Sequence, residues 1–198
     1  VNQSRNSSGD GKGEEIGVEY HRLQAFEKYL NAHARDGQQV TFKVVPKAKN
    51  QLLGALQRGE GDLVAPGELL DTRNANGIAA SEPIISHVPL VVVGVSGERG
   101  FKHTEQLSGK TLSLSTGSAA DDAVHQLNQR LALKKLPPVK IEWVDPSHAV
   151  EDVLEMVQAK IFHLTVVEQP IAERWAKVMP KLRVDRALTL SSNSDMNW

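Results

Sequence analysis

The sequence predicts an α/β protein built as two lobes, each a mostly parallel sheet flanked by helices. Three observations carry that prediction. Short β-branched runs alternate with stretches of helical period, which is the pattern of βαβ units. A strand–helix–strand segment, 40–67, is echoed without a gap by a second, 141–168, at an offset of 101 residues. The longest apolar run, Val88–Val95, lies between the two echoes, where a chain crossing from one lobe to the other is needed.

The elements follow in order. Residues 1–16 are rich in Ser, Asn, Gly and Lys and read as a loop after a truncated strand. Gly17–Ala34 reads as a helix, with Leu23, Phe26 and Leu30 on one face and Tyr29 beside them. Val40–Val45 alternates and is β-branched, which predicts a strand ended by Pro46. Asn50–Arg58 is a helix with Leu52, Leu53 and Leu56 inward, stopped by Gly59. Asp62–Ala65 is a short buried strand turned by Pro66-Gly67, and Val88–Val95 is a strand. In the second half, Thr111–Ser115 is a strand and Ala119–Lys134 a helix. Ile141–Val144 is a strand, and Asp145-Pro146-Ser147 caps a helix running through Gln158. Leu164–Val167 is a strand and Ile171–Val178 a helix. In the echo Val40 meets Ile141, Phe42 meets Trp143, Ala48 meets Ala149, Leu53 meets Leu154, Gln57 meets Gln158 and Leu63 meets Leu164. The expected division is lobe 1 over 1–88, lobe 2 over 89–194 and a returning hinge strand over 195–198, all forming one binding domain.

Composition excludes several function classes. Of 198 residues, 40% are apolar and 24% charged, an ordinary balance for a folded globular chain. A formal net charge of −1 argues against a nucleic-acid binder, whose affinity rests on neutralising phosphates. No apolar run approaches the ~18 residues a membrane helix needs. The absence of Cys removes disulfide and thiol chemistry. No signal peptide is visible and the first residue is Val, so the chain reads as a trimmed or mature fragment.

Candidate binding residues sit past the C-terminal ends of strands, the edge where ligands bind in open α/β sheets. Thr116-Gly117-Ser118-Ala119 follows a strand and opens a helix, so its free N–H groups and the Ser118 hydroxyl suit a carboxylate or phosphate. The plainer reading of Ser118 is a helix cap. Arg73, in Asp71-Thr72-Arg73, offers a two-pronged guanidinium to a carboxylate, against the plainer reading of a surface charge. Gly67 and Glu168 occupy equivalent places in the echo, and a carboxylate at Glu168 suits an ammonium group or, more plainly, starts a solvated loop. The seven His residues are scattered, without metalloprotease spacing, and read as surface or packed residues. Asp121-Asp122 favours a helix's first turn rather than a catalytic pair. Gly9-Asp10-Gly11-Lys12-Gly13 lacks the spacing of a phosphate-binding loop. Trp143, Trp175 and Trp198 are too dispersed to form a stacking platform. No catalytic group, metal site or cofactor is expected.

The order of these segments resembles the type II periplasmic solute-binding domains, the group that includes amino-acid-binding proteins (bacterial extracellular solute-binding family 3). The resemblance is carried by Gly17-Val18-Glu19-Tyr20 with Phe26 and Tyr29-Leu30, by Leu56-Gln57-Arg58-Gly59-Glu60-Gly61-Asp62-Leu63, and by Thr72-Arg73 with Ser81-Glu82-Pro83. Leu107–Leu112 followed by Gly117-Ser118 completes it. Within that family the first helix and the run Val150–Glu168 are similar to the regulatory module of membrane-bound lytic transglycosylase F.

The resemblance implies a periplasmic sensor that closes on an amino acid or a peptidoglycan-derived peptide and regulates a C-terminal catalytic domain beyond Trp198, with outer-membrane association through the full-length protein. It implies that Arg73, with Thr72 and Gly67, clamps the ligand carboxylate, helped by Gly117, Ser118 and Ala119, and that Glu168 holds the ammonium. The chain departs from the family pattern where a Gly before the last strand is replaced around Ala159-Lys160, where His163 replaces an Asp, and where the acidic residue is Glu168 rather than Asp. The alternatives are a free-standing amino-acid-binding protein of an ABC importer and, in another class, a small-molecule transferase on the same bilobal fold. A monomer is expected.

Overall fold

The computed structural model describes residues 18–34, 37–66, 69, 76–83, 85–116, 118–190 and 194–196. The first half contributes α1 (Val18–His33) and α2 (Lys49–Gln57). The strands β1 (Ile85–Val88) and β2 (Leu90–Val95) follow, then a single 3-10 turn over Thr104–Leu107 and β3 (Thr111–Ser115). The remainder is α3 (Ala120–Leu133), β4 (Lys140–Val144), α4 (Val150–Gln158), β5 (Thr165–Glu168), α5 (Gln169–Ala176), β6 (Leu182–Thr189) and β7 (Ser194–Met196).

β2 is the axis of the second half. All six of its residues are buried, because it packs on both faces. Leu90 and Val92 join Leu112, Leu114, Val124, Leu127 and Leu131, which places α3 on one side. Val91, Val93 and Val95 join Leu154, Val157, Ala172 and Leu182, which places α4 and α5 on the other. A strand covered on both faces reads as a continuous apolar run rather than an alternating one, which is the run the sequence shows. β2 lies between β5 and β6 and is antiparallel to both. β3 and β4 pair in parallel from Thr111↔Lys140 to Ser115↔Val144. β3 also touches the start of β5, where the Ser113 N–H donates to the Leu164 carbonyl at 2.8 Å and the Thr165 hydroxyl to the Ser113 carbonyl at 2.7 Å. The α/β class holds, but the pairing is mixed: β3 and β4, joined through α3, pair in parallel, whereas β2 runs against both its neighbours.

Several element boundaries differ from the sequence expectation. Pro89 carries no N–H and splits the Val88–Val95 run into β1 and β2. Val40–Val45 and Asp62–Ala65 form no ladder among the described residues. The first is instead tied to α1 side chains. Asn31 accepts from the Val40 N–H at 2.7 Å and donates to its carbonyl at 2.8 Å, and Glu27 accepts from the Phe42 N–H. The rings of Phe26 and Phe42 meet at 5.7 Å. The helix after β4 begins at Val150 with Ala149 as its cap, not Asp145. Asp145 makes a turn ahead of the helix, accepting from the Ser147 N–H at 2.8 Å, and Asp152 accepts from the Ala149 N–H at 2.9 Å.

β6 had no counterpart in the sequence reading. Its Leu182–Val184 alternation is short and set among Arg183, Asp185 and Arg186. β7 pairs antiparallel with β1, Ile85↔Met196 and Val88↔Ser194.

The internal echo is visible in the backbone. α2 spans Lys49–Gln57 and α4 spans Val150–Gln158, the same limits displaced by 101 residues. Both are preceded by an extended Ala, Ala48 or Ala149. Each half also uses an Asn to clamp the segment after its long helix: Asn31 holds Val40, and Asn128 holds Val139 with bonds of 2.7 and 2.9 Å.

Candidate ligand site

β3, β4 and β5 all end on one side of the second half, and the chain leaves each of them through a turn into a helix. A cavity of about 70 Å³ lies there. Ser115, Thr116 and Ser118 bound it from the end of β3, and Pro146, Ser147 and His148 from the turn after β4. Glu168 and the residues before it close it from β5, while Ala48 and Asn50, at the start of α2, come from the first half.

Ser118 is fixed by local bonds. Its N–H donates to the Ser115 carbonyl at 3.1 Å, and its carbonyl accepts from the Asp121 N–H at 3.1 Å. Its hydroxyl accepts from the Ala120 N–H at 3.2 Å. Ser118 thus satisfies one N–H at the start of α3, one residue ahead of its cap Ala119, and its hydroxyl can also donate into the cavity it lines. Its backbone N–H is committed and is not an anion donor. Ala119 packs against the core cluster, and its N–H has no partner among the described residues.

Glu168 is only 6% exposed. One carboxylate oxygen accepts from the Leu69 N–H at 2.7 Å, a bond that joins the two halves of the chain. The other has no partner among the described residues. Leu69 is itself buried in the core cluster of the second half. A buried carboxylate that lines a cavity is chemically suited to an ammonium group.

Of the residues proposed from sequence, Ser118 and Glu168 reach the same cavity and Ala119 lies in the packed wall behind it. Gly67, Thr72, Arg73 and Gly117 lie outside the described residues. His148 was passed over as a surface or packed residue, yet it lines the cavity. The echo could have found it: Ala48 and Ala149 are equivalent, so the turn ahead of each helix faces the same space. Among the described residues no group of His, Asp and Glu could hold a metal. No described helix is long and apolar enough to cross a membrane.

The fold is the mixed α/β fold of two-lobed, type II solute-binding proteins, as comparison with solved structures shows. A substrate-binding protein of an amino acid ABC transporter matches with a TM-score of 0.73 and 20% identity, over 96% of this chain and 75% of that one. An ancestral arginine-binding protein bound to arginine matches with a TM-score of 0.71 and 20% identity, over 95% and 75%. A structure concerned with glutathione import through GshT and the cystine ABC importer TcyBC of Streptococcus mutans matches with a TM-score of 0.67 and 18% identity, over 95% and 72%. The first two are described as binding proteins. No protein-family model matches the sequence, and no curated protein matches it.

Proposed function

We propose that this chain is a solute-binding module that closes two lobes over a small amino-acid-like ligand, in the manner of the periplasmic proteins that serve amino acid ABC importers. One observation carries the reading. Ser118 and Glu168, far apart in sequence, line one cavity together with Ala48 and Asn50 of the first half. A hydroxyl donor and a buried carboxylate in one small space suit the carboxylate and ammonium of a zwitterion. Gly67, Thr72 and Arg73 supply the first lobe's share, with Arg73 taking the carboxylate, and Gly117 lets the backbone come close. The solved structures support the importer-type reading over an enzymatic one.

The chain passes between the halves twice, at the β1–β2 break and at the β6–β7 return. His87, beside that break, has a φ of 53°. Lobe 1 over 1–88, lobe 2 over 89–194 and a hinge return over 195–198 are the bodies that move. Ligand then shifts an open–closed equilibrium by its preference for the closed form. The finer reading, a peptide-sensing module that regulates an attached lytic transglycosylase at the outer membrane, rests on the likeness of the first helix and of Val150–Glu168 to that family.

Calorimetric titration with free amino acids and with muropeptide fragments tests both readings. Amino acids binding in preference to muropeptides supports the importer type, and the reverse supports the sensor. No binding by the wild-type chain, or binding unchanged by Arg73→Ala, overturns the site.

A further inference from the structure

We propose that His148 takes part in selecting the ligand side chain and favours a polar one. This deepens the amino-acid-binding reading and rests on it. The cavity is about 70 Å³ and adjoins a larger groove lined by Glu151, Asp152 and Glu155. The floor beneath is Val150 and Val153, on the first turn of α4.

His148 stands at the way out. It lines the cavity and also an adjoining open groove of about 860 Å³ that runs along α4. A side chain extending from the cavity towards that groove passes the imidazole. The ring's place is set by the backbone: the His148 N–H donates to the Asp145 carbonyl at 3.0 Å, and Asp145 also holds Ser147. The residue is half-buried, and its ring has no hydrogen-bond partner among the described residues. A neutral imidazole carries one donor and one acceptor, so it matches a hydroxyl or an amide on the ligand. It offers nothing specific to a methyl group.

The test uses the whole 198-residue chain and titrates glycine, alanine, serine, asparagine and arginine into wild type, His148→Ala and His148→Gln. The expected result is tighter binding of serine or asparagine than of glycine or alanine by wild type. His148→Ala then weakens the serine and asparagine complexes by about tenfold and leaves glycine and alanine nearly unchanged, and His148→Gln restores part of the loss. Equal weakening of every ligand, no weakening of any, or a wild-type preference for glycine or alanine over serine and asparagine overturns the proposal while leaving the amino-acid-binding reading intact. Absence of binding by any of the five to wild type overturns both.

Discussion

Gly59 and Lys160 occupy the same left-handed turn at the ends of two helices that lie 101 residues apart, with φ of 72° and 61°. The bonds around them correspond one by one. Arg58 donates to Gly54 as Ala159 does to Glu155, Gly59 to Leu56 as Lys160 to Val157, and Glu60 to Ala55 as Ile161 to Met156. This is the helix-ending motif in which Gly is preferred, because a Cβ crowds the backbone at positive φ. The second half keeps the geometry and has lost the residue. The Gly-to-Lys departure seen in the sequence is thus a change of side chain at a conserved turn shape, not a change of fold.

Lys160→Gly is therefore expected to raise stability by about 0.5–1 kcal/mol, the relief of left-handed strain less the extra freedom of Gly in the unfolded chain. Gly59→Ala is expected to lower stability by about 1 kcal/mol for the same reason. Urea denaturation of both variants checks the pair, and a destabilised Lys160→Gly would contradict the account.

Glu168 accepts from the Leu69 N–H and, in the proposed site, also holds the ligand ammonium; two substitutions separate these roles. Glu168→Gln retains an acceptor for the Leu69 N–H but loses the negative charge. Stability should stay near wild type while ligand affinity falls by about tenfold or more. Glu168→Ala also leaves the Leu69 N–H unpaired in a buried place, which should cost a further ~1–3 kcal/mol in stability. Thermal melts with and without ligand distinguish the two.

Arg183 and Asp185 form a bidentate pair on β6, with bonds of 2.9 and 3.2 Å and side chains 16% and 5% exposed. Arg183 also donates to the carbonyls of Val95 and Glu98 and lies over the Phe101 ring at 5.7 Å. Gly94 and Gly100 make room for the pair, since a Cβ at Gly94 would lie 2.5 Å from an Arg183 nitrogen and one at Gly100 2.7 Å from an Asp185 oxygen. Asp185→Ala should destabilise by about 3 kcal/mol, because it leaves a buried guanidinium uncompensated. Replacing both partners with apolar residues should recover much of that loss, as measured by chemical denaturation.

Lys47 and Arg58 flank α2 and both bind Glu60, at 2.6 and 2.7 Å. Hydrogen bonds from Lys47 first and Arg58 second lower the Glu60 carboxyl from 4.5 to about 2. A depressed folded-state value means that the contribution is complete above pH 4.5 and is lost as pH falls through about 2. NMR titration of Lys47→Met should show the Glu60 carboxyl moving back up towards its ordinary range.

Local chemistry made much of the framework legible from sequence. The place of α2 to within a residue, the end of α4 at Gln158, the strand Thr111–Ser115 and the buried run around β2 follow from apolar period, β-branching and flanking Gly or Pro, all of which act over a few residues. The echo was legible too, because equal turn geometry needs equal spacing. Tertiary structure decided what depends on partners. Val40–Val45 has the pattern of a strand, yet Asn31 and Glu27 take its backbone groups, and no period in the sequence records that competition. β6 is held by β2 across a register shift and by Arg183 among the carbonyls of another segment, and its charges hid it. Ser118 and Glu168 were expected from their positions at strand ends, and both line the candidate cavity. His148 was not, because a turn residue becomes a cavity wall only when β4 lies beside β3 and α2 arrives from the other half.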